Sequence, residues 1–270
     1  MEERISMLAI IRGAGDIASA IALRLHKCGV SVIMTEVEHP LTVRRTVAFS
    51  EAIHSGKTQV EGVVGVRVES VDDALRRTLE GVVPVLVDPK CSCIWLEPDV
   101  LVDAILAKRN MGTTIGMAPI VIGIGPGFTA GDDCHAVVET MRGHTLGRVY
   151  YEGSALPNTA VPGLIGGFAG ERVLRAPSDG TFREVASIRD HVEAGQAVAY
   201  VDDAPVIATL TGTLRGLLAG GTHVTKGLKC GDIDPRDEVS HCETVSDKGL
   251  AVAGGVLEAI LHLSDTFTKA

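Results

Sequence analysis

The chain has 270 residues, 46% of them hydrophobic, with 31 glycines and a formal net charge of −9. That length suits one large domain or two modest ones. The acidic balance excludes nucleic acid and an anionic membrane surface as partners, and 3% aromatic content leaves too few rings for a base-stacking platform.

Leu8–Arg12 is apolar and β-branched and reads as a strand. Asp16–Lys27 reads as a helix, with Ile17, Ile21 and Leu25 at four-residue spacing and Gly29 as its stop. Ser31–Thr35 is a second strand, and Leu41–His54 reads as a helix closing at Gly56. Val63–Val68, Val82–Val87 and Ile120–Ile124 are further strands, with helices predicted over Val71–Leu79 and Asp99–Lys108. Strands alternating with helices predict an α/β fold, a Rossmann-like doubly wound parallel sheet over residues 1–152. A Gly- and Pro-rich connection follows over 153–171.

Residues 180–203 and 212–235 then form an internal repeat at an offset of 32. Gly180 and Gly212, Thr181 and Thr213, Arg183 and Arg215, His191 and His223, Gly195 and Gly227, and Asp202 and Asp234 coincide without a gap. Each copy carries a V-x-x-G turn between short apolar runs, which resembles the halves of a biotinyl/lipoyl-type barrel-sandwich hybrid, expected over 172–236. A carrier of that family needs a lysine on the hairpin between halves. No lysine stands between Lys108 and Lys226, so the resemblance implies a scaffold, docking or substrate-covering module and not an acyl or biotin carrier. The remainder, 237–270, is predicted to hold a helix capped by Ser246 or Asp247 that packs back through Val252, Val256, Ile260 and Leu263.

No apolar run reaches the ~18 residues of a membrane span. MEERISMLAI lacks the apolar core and cleavage site of a secretory signal. A cytoplasmic location is expected, with the six cysteines reduced. Only Cys91 and Cys93 are close-spaced, and C-x-C supplies two of the ligands a soft metal needs.

Three constellations are candidates for chemistry. The first is Gly13-x-Gly15-x-x-Ala18 between strand and helix, with Glu36 closing the next strand. The spacing is that of a dinucleotide fingerprint: a tight turn, close backbone approach to a phosphate, and an acid for a ribose hydroxyl. Asp16 competes for the helix N–H groups that a phosphate would use. Arg12, Arg44 and Arg45 are candidates for neutralising Asp16 or binding an anion. The second runs from Gly125 and Gly127 through Glu139, Arg142, His144 and Arg148. Here Glu139 and His144 are an acid–base pair candidate and the arginines anion binders. The third is Asp88 at a strand end, with Asp103, Lys108 and Asn110 read as a salt-bridged surface.

Taken together, IRGAGDIASA, TEVEHPLTVRRTVAFSEAIHSG, DVLVDAILAKRN, IGIGPGFTAGDD, VVETMRGHTLGRV, GDIDPR and SDKGLAVAGGVLEAIL resemble the selenium-dependent molybdenum hydroxylase accessory proteins of the YqeB type. The first part is broadly similar to XdhC/CoxF-type maturation factors. The resemblance implies a maturation role, a molybdenum hydroxylase or its maturation machinery as partner, and a nucleotide ligand, NAD(P) or molybdopterin nucleotide. Two alternatives stay open, an NAD(P)-dependent oxidoreductase and a non-catalytic docking module, and assembly as a homo-oligomer is left open beside any of them.

Overall fold

The computed structural model of the chain describes residues 7–159, 163 and 166–264. The first six residues of the N-terminal segment and residues 160–162, 164 and 165 of the connection lie outside the described residues. Two compact units form: Met1–Glu38 with Ala48–Thr159 and Val245–Ala270, and His39–Val47 with Ala160–Thr244.

The first unit is built on one nine-stranded sheet. In chain order its elements are β1 (Leu8–Arg12), α1 (Asp16–Lys27), β2 (Ser31–Glu36), α2 (Glu51–Ser55), β3 (Lys57–Val60), β4 (Val63–Val68), α3 (Val71–Leu79), β5 (Val83–Val87), β6 (Val100–Asp103), β7 (Ile120–Ile124), β8 (Ala136–Val138), β9 (Val149–Tyr150) and, from the chain's end, α4 (Asp247–Leu263). The spatial order is β3-β4-β5-β2-β1-β6-β7-β8-β9. The central strands are parallel, and β3 and β9 pair antiparallel at the two edges. The pleat sends Leu8, Ile10, Ile33, Leu101, Val121 and Val137 to one face, where they pack with Val68, Ala74, Cys91, Cys93 and Phe128.

The Rossmann-like doubly wound parallel sheet is therefore corrected to a mixed sheet. α1 and α3 cross from β1 to β2 and from β4 to β5, but β5–β6, β6–β7 and β7–β8 are joined by loops and 3-10 turns. The missing helical cover comes from α4, which packs on α1. A Cβ on Gly249 would lie 2.8 Å from Ala20 Cβ, and one on Gly255 would strike the Gly147 carbonyl. Those two glycines permit the close approach.

Two predicted helices are something else. Val100–Asp103, inside the predicted Asp99–Lys108 helix, is the buried strand β6 between β1 and β7. A short central parallel strand is apolar on both faces and carries no alternation to distinguish it. Of Leu41–His54, only a 3-10 turn at Arg45–Val47 and the short α2 are helical. The Val43 carbonyl accepts the Leu217 amide at 2.7 Å, so the strap spends its backbone on a strand of the second unit instead.

That unit comprises β10 (Val173–Arg175), β11 (Gly180–Glu184), β12 (His191–Val192), β13 (Ala197–Val201), β14 (Ala204–Ile207), β15 (Gly212–Leu217), β16 (His223–Val224) and β17 (Lys229–Asp234). The sequence repeat is a structural one: β11, β12 and β13 correspond to β15, β16 and β17. The copies interlock, β11 pairing with β16 and β12 with β15. Gly180 and Gly212 share φ near +150° (149° and 154°), and a Cβ at either would strike Asp202 or Asp234. The barrel-sandwich expectation is nonetheless corrected. The strands form two four-stranded antiparallel sheets, β10-β17-β15-β12 and β14-β13-β11-β16. Each is completed by a strand outside the repeat, β10 or β14, so the unit is more than two folded-back halves.

Candidate functional site

The carboxyl ends of β5, β2, β1, β6, β7 and β8 bring most of the sequence candidates to one edge of the first unit. The fingerprint loop is there, but the protein's own groups occupy it. Glu36 accepts the Ala14 and Val37 amides, each at 2.8 Å. Burial pushes its carboxyl up, and those two N–H groups hold it back in part. Gly13 takes φ +92° and donates to the Thr35 carbonyl at 2.8 Å, and its Cα faces the Ala104 backbone. Gly15 caps α1, Asp16 opens it and Ala18 is buried in it. The acid expected on a ribose thus holds the turn closed on its own backbone.

Arg12 is engaged by the protein's own groups. Its side chain is buried, pairs with Asp103 at 3.0 Å and donates to Thr113. The Thr113 hydroxyl in turn donates to Asp103 at 2.6 Å, and Asn110 donates to the Thr113 carbonyl at 2.7 Å. Asp103 and Asn110 therefore belong to a buried staple, not to a solvated surface. Arg44 and Arg45 lie in the second unit. Arg44 donates to the His241 carbonyl at 2.9 Å, and Arg45 to the Leu217 carbonyl and Glu184 at 3.1 and 3.0 Å.

Gly125 and Gly127 have φ +78° and +110°, and a Cβ on either would lie 2.6 Å from Thr140 Oγ1 or the Arg109 backbone. These glycines admit neighbouring loops rather than a ligand. Glu139 is fully buried and spent on the backbone: it accepts the Thr140 and Met141 amides at 2.7 Å and the Leu156 amide at 2.8 Å. His144 is exposed on the following turn, so the pair does not form an acid–base couple. Arg142 makes a two-pronged ion pair with Asp247, 2.6 and 3.0 Å.

One residue at this edge was not singled out from the sequence. Lys248 sits in the first turn of α4, where an ammonium opposes the helix dipole. It is half-buried, and among the described residues it makes no hydrogen bond or ion pair. Burial, with Arg142 and Lys108 nearby, pushes its amine below the usual lysine range against the pull of Asp16 and Glu139. A lysine one position after the acid of a capped helix start was the available signal, because it breaks the charge rule for helix termini.

On the β5 side, Asp88 organises the C-x-C turn. Its carbonyl accepts the Cys91 amide at 3.0 Å and its carboxylate the Cys93 amide at 2.8 Å. Burial pushes that carboxyl up, but the Ser92 and Cys93 N–H groups outweigh it and leave Asp88 below its ordinary value. Among the described residues no group of three or more His, Cys, Asp and Glu side chains is arranged to hold a metal ion.

No family model matches the chain. It is 51% identical over 264 residues to Escherichia coli K12 YqeB, whose name describes it as uncharacterized; the match covers 97% of this chain and 49% of that protein. The chain thus spans about half the length of the curated relative it matches. Solved structures that align to it include an aspartoacylase family protein from Mesorhizobium loti (14% identical, 84% of each chain, TM-score 0.26). A succinylglutamate desuccinylase/aspartoacylase from Rhodobacter sphaeroides also aligns (14% identical, 84% of this chain and 85% of that one, TM-score 0.26).

The fingerprint loop is closed by Glu36 on its own backbone. The expectation of a selenium- or molybdenum-linked accessory protein with a nucleotide in a Rossmann cleft is withdrawn, together with its oxidoreductase and docking alternatives. At a TM-score of 0.26 the alignments carry nothing further to this chain. Among the described residues no helix is long and apolar enough to cross a membrane.

Proposed function

We propose that the chain is an enzyme acting on a small anionic substrate at the carboxyl edge of the first unit's sheet, with the Lys248 amine as its proton acceptor. The observation that carries this is Lys248 itself: a half-buried, unpartnered lysine in a helix's first turn, among Asp16, Glu139, Arg142 and Lys108. A lysine whose ammonium is destabilised by burial is available as a base nearer neutral pH. Arg142 and Lys108 supply the positive charge that would hold an anion. Six cysteines without a disulfide support a cytoplasmic setting, and the 51% identity supports placing the chain with YqeB-type proteins.

The test is competitive trace labelling of lysines with acetic anhydride across pH, read by peptide mass spectrometry. Lys248 is expected to gain reactivity at lower pH than the exposed Lys90, and Lys248→Met to leave the fold intact by circular dichroism. A Lys248 profile that superimposes on that of Lys90 removes the base and with it the proposal.

A further inference from the structure

α4 is apolar on two faces, and the described residues cover only one of them. Val252, Ala253, Val256, Ala259 and Ile260 are buried in the first unit. The opposite side carries Leu250, Gly254, Leu257 and Leu261, at steps of four, three and four residues. At 100° per residue these four fall within an arc of about 60°. Leu250 is 46% exposed and Leu261 39%, and Leu257 is partly exposed. A 4-3-4 apolar spacing is that of a seam packed against a second helix. The glycines of α4 point the same way. Gly249 and Gly255 are required by this chain, since a Cβ on either would meet Ala20 or Gly147. Gly254 is not: no neighbour among the described residues lies within 4 Å of where its Cβ would be. Glycine inside a helix is destabilising relative to alanine, and nothing within the chain explains why Gly254 is tolerated at the centre of the exposed stripe.

We propose that this face is the interface of a homodimer, α4 of one protomer packing antiparallel on α4 of its partner about a two-fold axis. The pattern of the stripe itself argues for a second copy as the occupant. A two-fold interface must be its own complement. Antiparallel pairing centred between Gly255 and Val256 sets Leu250 against the partner's Leu261 and Leu257 over the partner's Gly254, and the two-fold repeats both contacts. Every leucine of the stripe then has a mate, and the one position without a side chain receives the leucine that needs room. Close backbone approach is what a glycine there permits. Antiparallel docking also lays the positive N-terminal end of each helix beside the negative C-terminal end of the other. Parallel pairing would set Gly254 against itself, leave a gap between the leucines and align like helix ends. α4 is 17 residues long, which gives a face about 25 Å long and about 10 Å wide. That is a small interface, so a reversible dimer dissociating in the micromolar range is expected.

Sedimentation velocity of the full chain across the micromolar range tests this, and a monomer–dimer equilibrium is the expected result. Leu257→Glu, which places a charge in the seam, and Gly254→Val, which fills the hole, should each weaken association by about tenfold or more. Both positions lie on the outward face, so circular dichroism of the variants should match the parent. Disulfide trapping in a Cys28→Ser background, which removes the exposed thiol, reads the helix direction. Mixed Leu250→Cys and Leu261→Cys proteins are expected to cross-link to each other. Leu250→Cys alone is not, because its two copies lie about 16 Å apart along the helices, beyond the reach of a disulfide. A chain that stays monomeric throughout overturns the proposal and leaves the stripe to another protein, such as the part of YqeB outside the matched half. A dimer indifferent to both Leu257→Glu and Gly254→Val, or one trapped through Leu250→Cys alone, overturns it equally, by placing the interface elsewhere or the helices parallel.

Discussion

Arg12 decides between a ligand-binding and a structural reading of the sheet's carboxyl edge, and Arg12→Met separates them. Its guanidinium pairs with an Asp103 that is 2% exposed and bonds the Thr113 hydroxyl. Removing it leaves the Asp103 carboxylate in the core with two remaining donors, Thr113 Oγ1 at 2.6 Å and the Ile105 amide at 3.2 Å. Breaking a buried pair from one side costs about 3–5 kcal/mol, and with two donors retained the lower end, about 3 kcal/mol, is expected. Replacing both members, Arg12→Met with Asp103→Leu, removes the stranded charge but orphans two donors, so about half the loss should return. Urea unfolding followed by Trp95 emission reads the first unit specifically, which matters because two units make a single global transition unsafe to assume. An Arg12→Met protein within 1 kcal/mol of the parent, or a double variant no more stable than the single, refutes the staple.

Other outcomes follow from the same contacts. Gly254 has open space where its Cβ would be, whereas Gly255 faces the Gly147 carbonyl and Val138; Gly254→Ala should therefore stabilise by up to about 1 kcal/mol and Gly255→Ala should lower the thermal midpoint. In the second unit, burial pushes Asp234 up but hydrogen bonds from Arg236 and the charges of Arg215 and Arg236 outweigh it, taking it from 3.8 to about 2. A depressed carboxyl contributes stability that is present above its unfolded value and lost as pH falls through its folded one. Roughly 2 kcal/mol should therefore disappear between pH ~4 and ~2 in urea titrations, and Asp234→Asn should flatten that loss. Arg142→Ala gives up an ion pair to an Asp247 side chain that is 72% exposed, so stability should change by less than about 1 kcal/mol. Because Arg142 pushes the Lys248 amine down, the labelling midpoint of Lys248 should move up.

Legibility from sequence tracked the physics of each segment. β1, α1, β4, α3 and β7 fall on the predicted residues, because amphipathic spacing or a β-branched run closed by a glycine turn states its own structure. The repeat was readable because Gly180 and Gly212 need the same backbone conformation and Thr181 and Thr213 follow it in register. β6 was misread because a central parallel strand has no polar face to alternate with. The strap at Leu41–His54 was misread because the Val43–Leu217 pairing is a contact across 174 residues, which no local pattern contains. The partners of the site candidates were illegible for a related reason. Arg12, Glu36 and Glu139 were correctly located as unusual polar groups at strand ends, but their partners are Asp103, the Ala14 amide and the Leu156 amide, found only once the chain folds.

The fingerprint spacing and the closed loop are compatible once the demands of the fold are separated from those of a phosphate. A strand that turns into a helix on top of a parallel sheet needs a positive-φ residue at Gly13 and a small residue at Ala18 whatever it binds, since Gly13 lies against the Ala104 backbone and Ala18 is buried. Those positions report topology. The positions that report chemistry are the amides left pointing outward, and Glu36 has taken that of Ala14. A carboxylate held by two N–H groups is displaced by a phosphate only if both bonds are remade elsewhere, while its own negative charge repels the newcomer. Reactive groups at this edge must then lie to either side of the loop. Lys248, the base we propose, lies to one side of it, beside β8 at the start of α4.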